Sequence, residues 1–347
     1  MISLVNDSSK NSSPPRILIS RTDGMGDLCL TLPVFGWIKS VMPQVTTQLL
    51  VAPYAESLAR KSKYVDEVWV WRDRSPHASE SLLRETQADH IIHVFPQKEL
   101  ALAAQRAGIQ NRSGVVGRPY HWFTCNRWVF QNRKSSGLHE TELNLRIVAR
   151  ALGLNPPSVQ EISQMAPQWV GYVPREGAGT REESRPRVLL HPFSFGSGRE
   201  WPLSYFAEVS HALVAQGWEV WVGGSREEGT KVSPEQRSRF SAHCHWAFGT
   251  HDLQGYLELI ETMDALVASG TGPLHVAGIS GRRAVGIFPP RRSIDASRWA
   301  PIGEGVRVLQ KELKKTEGPL CKKPCSNTQC HCMADVSPDQ VIRAVLS

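Results

Sequence analysis

The sequence predicts an α/β protein made of two doubly wound domains, each built on a parallel sheet. Short apolar segments alternate with amphipathic segments of about ten residues, an alternation that is typical of βαβ units. It stops over residues 171–187, which are rich in Gly, Pro and charge, and then starts again. Glycine-rich turns follow predicted strands in both halves, at the sheet edge where open α/β sheets bind ligands. We therefore expect two Rossmann-like domains that face a central cleft.

In the first half, apolar runs of strand length are separated by segments with helical periodicity. The predicted strands are 16–20, 46–52, 65–71, 90–95 and 112–118. The predicted helices are 29–42, 55–62, 79–87, 99–108 and 139–152. Gly108 is a candidate C-cap. We expect a disordered leader over 1–15, where Ser and Asn are frequent, and an N-terminal domain over 16–170.

The second half repeats the pattern after the predicted linker 171–187. Its predicted strands are 187–193, 218–224, 264–270 and 283–290, and its predicted helices are 203–217, 253–263 and 272–281. The second domain is expected to extend over 188–347.

Composition limits the classes of function. An apolar content of 41% supports filled cores, and a net charge of +7 suits an anionic ligand or an acidic membrane surface. The positive charge is too dispersed to indicate nucleic-acid binding. The opening segment lacks the pattern of a secretory signal, and no run reaches the ~18 apolar residues of a membrane span. Seven scattered cysteines favour a reducing compartment, so we expect a cytoplasmic protein.

The stretch RTDGMGDL (21–28) follows the first predicted strand and leads into a helix. It matches neither G-x-G-x-x-G nor a P-loop, so a dinucleotide or triphosphate site is not indicated. Gly24 and Gly26 let a bulky ligand approach the backbone. Asp27 is then a candidate general base, although the helix dipole alone would also favour an acid there. Asp23 is interpreted as a turn or capping residue.

Two further turns suggest anion binding. In HPFSFGSGREWP (191–202), the hydroxyls of Ser194 and Ser197 and the cation Arg199 suit a diphosphate, although an ordinary βα loop is the alternative. In ASGTGPLHVAG (268–278), Thr271 and Gly272 begin a helix whose N-terminus suits a phosphate. His275 in its first turn is either part of that site or a buried structural histidine.

Three more segments can each be interpreted in two ways. In VGGSREEG (222–229), Glu228, or less directly Glu227, suits ribose hydroxyls or is simply solvated. Residues 115–134 interleave aromatic side chains with Arg118 and Arg127, which suits an acceptor-covering loop or a peripheral contact with an anionic membrane. The cysteines near the C-terminus are either metal ligands or reduced thiols, and their spacing matches no usual zinc site: Cys321, Cys325, Cys330 and Cys332.

Taken in order, these segments resemble the family 9 glycosyltransferases, which include ADP-heptose:lipopolysaccharide heptosyltransferases. The resemblance covers nearly the whole chain after residue 15. It implies a GT-B fold and an inverting, metal-independent transfer to a lipopolysaccharide-core or related glycan, with no cofactor besides the nucleotide sugar. It also implies an acceptor-binding first domain, with Asp27 as base and Gly24, Gly26, Arg118 and Arg127 as acceptor contacts. The donor contacts it implies are Ser194, Ser197, Arg199, Glu228, Thr271, Gly272 and His275.

The family commonly has Asp-Thr-Gly where this chain has Gly270-Thr271-Gly272. The missing carboxylate leaves the donor open between ADP-heptose and another nucleotide sugar. The sequence is also compatible with a nucleotide-sugar isomerase or hydrolase, and with a non-catalytic nucleotide-sugar-binding homologue.

Overall fold

The computed structural model describes residues 13–133, 136–163, 169–170, 185–196, 198–291, 293–311 and 330–347. The chain divides into two compact units, Met1–Val170 and Gly171–Ser347, which we call the N-terminal and C-terminal domains. Most of the predicted leader and of the predicted linker lies outside the described residues.

The N-terminal domain is a parallel six-stranded sheet with the order β3-β2-β1-β4-β5-β6. Its strands are β1 Arg16–Ser20, β2 Thr46–Val51, β3 Glu67–Val70, β4 His90–His93, β5 Asn111–Val115 and β6 Arg127–Val129. A short 3-10 helix spans Pro53–Ala55. The α-helices are α1 Met25–Cys29, α2 Leu32–Val41, α3 Glu56–Arg60, α4 Pro76–Glu85, α5 Lys98–Arg106, α6 His121–Thr124, α7 Glu140–Leu152 and α8 Val159–Ser163.

The C-terminal domain has a second parallel six-stranded sheet, with the order β12-β11-β10-β7-β8-β9. Its strands are β7 Arg187–His191, β8 Glu219–Gly224, β9 His245–Phe248, β10 Ala265–Ser269, β11 Arg283–Phe288 and β12 Val306–Gln310. The helices are α9 Leu203–Ala215, α10 Arg226–Gly229, α11 Pro234–Ser238, α12 Leu253–Glu261, α13 Gly272–Ile279, α14 Ala296–Trp299, α15 His331–Ala334 and α16 Pro338–Leu346.

Both sheets have the same topology. In each, the first strand of the domain pairs with the second on one side and with the fourth on the other: Ile19 faces Leu49 and Ile92, and Leu189 faces Trp221 and Leu266. The strand order therefore reverses beside β1 and beside β7, and the carboxyl ends there form the switch points at which such sheets bind ligands. This confirms the predicted α/β class of two Rossmann-like domains.

The predicted helix over 29–42 is confirmed as α2, which begins at Leu32, and an unpredicted short helix, α1, precedes it with a break at Leu30 and Thr31. Pro33 has no N–H to continue the ladder of helix hydrogen bonds. The Thr31 hydroxyl instead donates to the carbonyl of Asp27 at 2.8 Å, and Asn144 of α7 donates to Leu30 O at 3.2 Å. The break thus ties the turn after β1 to a distant helix.

Several elements at the margins of the sheets were not predicted. β6, β9 and β12 are edge strands of their sheets, and their partly exposed residues give no sustained apolar run. The helix α16 was missed although its N-terminus carries a capping box, in which Ser337 and Gln340 bond to each other's backbone. Within the described residues, no helix combines the length and apolarity needed to cross a membrane.

Two buried histidines lie on β4, His90 at its first residue and His93 at its last. His93 is fully buried, with Nδ1 3.1 Å from Ser20 Oγ, and His90 Nε2 lies 2.7 Å from Ser113 Oγ. Burial lowers the pKa of His93 to about 3 and that of His90 to about 4. Both rings are therefore neutral in the folded protein at pH values where an unfolded histidine is charged.

These shifts predict acid lability. Because the folded pKa values lie below the unfolded value of ~6.5, the unfolded chain binds more protons, and stability falls as the pH drops below that value. We expect the free energy of unfolding to fall by on the order of 1 kcal/mol per pH unit for each histidine between about pH 6.5 and 4.5. Urea unfolding of the wild type, His93→Asn and the exposed-histidine control His77→Asn measures this. H93N should lose less stability on acidification than the other two, and equal losses in all three would contradict the account.

Candidate functional site

The first candidate site lies at the carboxyl end of β1 and is organised by Arg21. This arginine is fully buried, with its side chain 0% exposed, directly after the last strand residue. Its Nε lies 2.7 Å from Asp23 Oδ1, and its Nη2 donates to Asp27 Oδ1. A third carboxylate, Glu140 at the start of α7, comes within 3.9 Å of Nη2. One guanidinium thus holds both aspartates of the turn.

A second arginine completes the cluster. Arg133 pairs with Glu140 Oε1 at 2.9 Å and donates to Asn144 Oδ1 at 2.7 Å. Arg21 Nη1 donates to the same amide oxygen at 3.3 Å, and Asn144 Nδ2 donates in turn to Thr31 Oγ1 at 3.1 Å. The turn after β1, the segment after β6 and the helix α7 are therefore joined through charged and amide side chains.

Burial and neighbouring charges together shift the pKa values of Asp23 and Asp27. Burial raises the pKa of Asp23 to about 6, with Arg21 opposing the shift and the Asp27 charge adding to it. Burial also raises the pKa of Asp27, again opposed by Arg21 and reinforced by Glu140. Neighbouring carboxylates that interact in this way titrate as a group, and raised values of this kind are frequent at catalytic sites.

Gly24 precedes α1, and Gly26 lies in the first turn of that helix. Gly24 is the N-cap of that helix, and a Cβ on it would lie 3.0 Å from Asp27 Oδ2. Its lack of a side chain therefore keeps one face of the Asp27 carboxylate open while Oδ1 is held by Arg21. Asp23 lies in the turn before α1, one of the two roles predicted for it, and does not cap the helix. Its carboxylate faces Arg21, and its carbonyl accepts the Tyr54 hydroxyl.

In the C-terminal domain, the loop after β7 is held by Glu200, which the sequence analysis did not single out. Its Oε1 accepts the Ser194 N–H at 3.1 Å and lies 3.2 Å from Ser194 Oγ, which also donates to Gly198 O at 3.1 Å. Ser194 thus stabilises the loop itself. Arg199 is half-buried beside it, and Ser197 lies outside the described residues.

This loop meets the turn after β10 through two glycines. A Cβ on Gly198 would lie 3.0 Å from Gly270 O, a tight contact, so glycine favours this close approach of the two backbones. Gly198 precedes Arg199, and Gly270 precedes Thr271 and Gly272, the N-cap and first residue of α13. The structure therefore brings together two predicted anion-binding turns that lie about 70 residues apart in sequence.

The N-terminus of α13 carries an unusual polar group. The Thr271 side chain makes no capping bond, and its hydroxyl is buried without a hydrogen-bond partner among the described residues. Buried hydroxyls are nearly always satisfied, so such a group points to a ligand. His275, one turn further on, is buried within the same helix.

The space beside Gly270 is filled by an aromatic ring. A Cβ on Gly270 would lie 2.7 Å from Cε1 of Phe288, a buried residue at the end of β11. The turn therefore has no room for a side chain at this position while Phe288 keeps its rotamer. Gly270 therefore packs directly against the ring of Phe288.

Glu228 is buried in α10, which follows β8, and closes a capping box, in which its Oε2 accepts the Ser225 N–H at 2.9 Å. His191, which is buried, has its Nδ1 2.8 Å from the hydroxyl of the partly buried Tyr256. The Glu228 charge raises the low pKa that burial imposes on His191. Glu227 is exposed.

The remaining predicted residues lie elsewhere. Arg118 is exposed in the turn after β5, while Arg127 in β6 donates to Asn111 Oδ1 at 2.9 Å. Cys321 and Cys325 lie outside the described residues. Cys330 is buried against the apolar core of the C-terminal domain, and Cys332 packs beside it. No group of three or more potential metal ligands occurs in the part of the chain that the structure describes.

The chain is similar to known proteins over most of its length. The lipopolysaccharide heptosyltransferase 2 of Escherichia coli K12 is 22% identical over 315 residues, covering 85% of this chain and 88% of that protein. A glycosyltransferase family 9 structure from Veillonella parvula superposes with a TM-score of 0.72 at 16% identity, covering 96% of each chain. The E. coli heptosyltransferase WaaC, solved with ADP, gives a TM-score of 0.66 at 16% identity, covering 95% of this chain and 99% of that chain.

The family model described as glycosyltransferase family 9 (heptosyltransferase) matches residues 78–331, which is more than half of the chain. The solved structures agree with the two-domain GT-B fold. The chain belongs to glycosyltransferase family 9, the heptosyltransferase family.

Proposed function

We propose that this protein transfers heptose from ADP-heptose to a lipopolysaccharide-core or related glycan acceptor, with inversion at the anomeric carbon. The observation that carries the proposal is Asp27, a mostly buried carboxylate with one oxygen held by Arg21 and the other facing the space over Gly24. The family and the ADP bound to WaaC support the choice of donor.

In this proposal Asp27 Oδ2 takes the proton of an acceptor hydroxyl as its oxygen attacks the anomeric carbon. The bond from that carbon to the diphosphate oxygen breaks, and ADP departs with the electron pair. A base for this step must be ionised yet retain proton affinity, and a carboxylate with a raised pKa satisfies both needs. Arg21 opposes the rise in the pKa of Asp27 that burial causes, and so favours the ionised form.

The C-terminal domain is proposed to hold the donor. Negative charge develops on the leaving diphosphate, and the Arg199 side chain with the free N–H groups of α13 would stabilise it. The Thr271 hydroxyl gains its missing partner when a phosphate oxygen accepts from it. With these groups in the role that a cation would otherwise have, the transfer needs no metal.

Gly270 is proposed to leave catalysis intact. The proposed phosphate contacts of this turn are backbone N–H groups and the Thr271 hydroxyl, not a side chain at position 270, and the Phe288 ring fills the adjacent space.

A cytoplasmic location agrees with the five cysteines of the described residues, all of which are free thiols.

Replacing the proposed base tests the chemistry. Asp27→Asn keeps the size of the side chain and a contact with Arg21 but removes the proton acceptor. We expect turnover of ADP-heptose with a heptose-acceptor glycan to fall by about 10²–10⁴-fold, with ADP affinity unchanged because the proposed donor site lies in the other domain. Initial rates and ADP titration by calorimetry measure the two quantities.

Asp23→Asn is the matched control, since Asp23 shares Arg21 but has its carboxylate turned toward that guanidinium. The turnover of D23N should fall by no more than about tenfold. A larger loss in D23N than in D27N would move the base to Asp23, and full activity in D27N would refute the mechanism.

Removing the Thr271 hydroxyl tests the donor site through two effects of opposite sign. Thr271→Val deletes a buried, unsatisfied polar atom, so the ligand-free protein should be as stable as the wild type or more so. ADP affinity should fall by about tenfold or more, the effect of one hydrogen bond to a charged group. Thermal unfolding with ADP, UDP, GDP and CMP measures both, and ADP should stabilise the wild type most.

Thr22→Val is the control, because Thr22 also has a buried hydroxyl without a hydrogen-bond partner among the described residues but lies in the N-terminal domain. It should leave ADP affinity unchanged. Stabilisation by UDP or GDP instead of ADP would indicate that the donor is a sugar conjugate of that nucleotide. Equal ADP affinity in T271V and wild type would show that the N-terminus of α13 is not the phosphate site.

A further inference from the structure

The N-terminal domain has an exposed aromatic surface that the transfer chemistry does not use. We define the aromatic patch as Trp122, Phe123, Trp128 and Phe130, whose residues are 55%, 76%, 55% and 72% exposed. Monomeric proteins seldom expose large aromatic side chains together, and clusters of this kind mark interaction sites.

Hydrogen bonds to the backbone fix the two indole rings of the patch. Trp122 Nε1 donates to Val116 O at 2.9 Å, and Trp128 Nε1 donates to His121 O at 3.3 Å, which ties β6 to α6. Because both indole N–H groups are used inside the domain, the part of each ring that faces solvent is carbon. The surface therefore favours an apolar medium over a hydrogen-bonding partner.

The segment that carries the patch is rich in basic residues. Residues 100–139 contain six arginines and lysines and no aspartate or glutamate. The basic residues are Arg106, Arg112, Arg118, Arg127, Arg133 and Lys134. Arg106 and Arg118 are exposed, whereas Arg133 pairs with Glu140 at 2.9 Å.

We propose that the aromatic patch docks the N-terminal domain onto an anionic lipid bilayer. Aromatic rings insert at the level of the headgroups, and each nearby arginine adds attraction to anionic lipid. A second copy of the chain is a poor occupant, since pairing through this surface would bring two positively charged segments together.

The patch is also connected to the Arg21 cluster. Phe130 follows β6 directly, its carbonyl accepts from Arg150 of α7, and Arg133 three residues later reaches Glu140 and Asn144. Docking would therefore bring the Asp27 site close to lipid-anchored acceptors. This purpose rests on the proposed function, whereas the docking itself does not.

Vesicle co-sedimentation of the full-length protein tests the docking. We expect binding to phosphatidylcholine vesicles that contain about 30% phosphatidylglycerol, weaker binding to pure phosphatidylcholine, and loss of binding at about 0.5 M salt. Phe123→Gln/Phe130→Gln, which alters the two most exposed rings, should weaken binding by about tenfold or more. Arg118→Gln should weaken it about fivefold.

Phe195→Gln is the matched control, because Phe195 is a similarly exposed phenylalanine (62%) in the C-terminal domain. It should bind vesicles like the wild type, and circular dichroism would establish that all variants fold. Unchanged binding by F123Q/F130Q, equal binding to both vesicle types, or binding to a single-stranded oligonucleotide in preference to vesicles would overturn the proposal.

Transfer to a water-soluble acceptor separates this proposal from the preceding one. F123Q/F130Q should transfer to that acceptor as the wild type does, but should lose activity on acceptor embedded in vesicles. A wild type that binds vesicles without transferring sugar would refute the proposed function alone. One that transfers sugar without binding vesicles would refute the docking alone.

Discussion

The buried guanidinium of Arg21 is the interaction on which the N-terminal domain's site depends. A buried charge is tolerated only when opposite charges lie close to it. Asp23, Asp27 and Glu140 provide them for Arg21. These partners come from the turn after β1 and from α7, so the cluster joins segments that are about 120 residues apart. The same interaction determines the chemistry, because it opposes the rise in pKa that burial imposes on Asp27.

In the C-terminal domain, a close backbone contact rather than a cluster of charges holds the candidate site together. The close approach of Gly198 to Gly270 brings the loop that carries Arg199 against the start of α13. Glu200 holds that loop from within, and Phe288 occupies the space that a side chain at 270 would need. The departure from the family's usual Asp-Thr-Gly is therefore matched by the packing of a ring from the neighbouring strand.

Much of the fold could be predicted from sequence because both sheets are parallel and their central strands are continuous apolar runs. RILIS and RVLLH are examples, and each is followed by a glycine-containing turn. The outer strands β6 and β9 escaped prediction because their aromatic and charged residues follow no period. The helix break at Thr31 depends on Asn144, a contact that no local pattern reveals.

The site was predictable only where local sequence determines it. Asp27 and Thr271 stand next to glycines at strand ends, a pattern that can be read directly. Arg21 could have been noticed as a charged residue immediately after a buried strand, but its partners Glu140 and Asn144 are more than 100 residues away. The raised pKa values arise from burial, which depends on the tertiary structure.

The central claim is that Arg21 holds two buried carboxylates whose pKa values are raised, one of which is the base. Carbon-13 NMR titration of the aspartate carboxyl groups in the ligand-free protein, assigned with D23N and D27N, tests it most directly. The account predicts that Asp23 and Asp27 titrate as a linked pair with pKa values above their ordinary range, with the pKa of Asp23 at about 6. Independent titration of both groups at or below about 4 would contradict it.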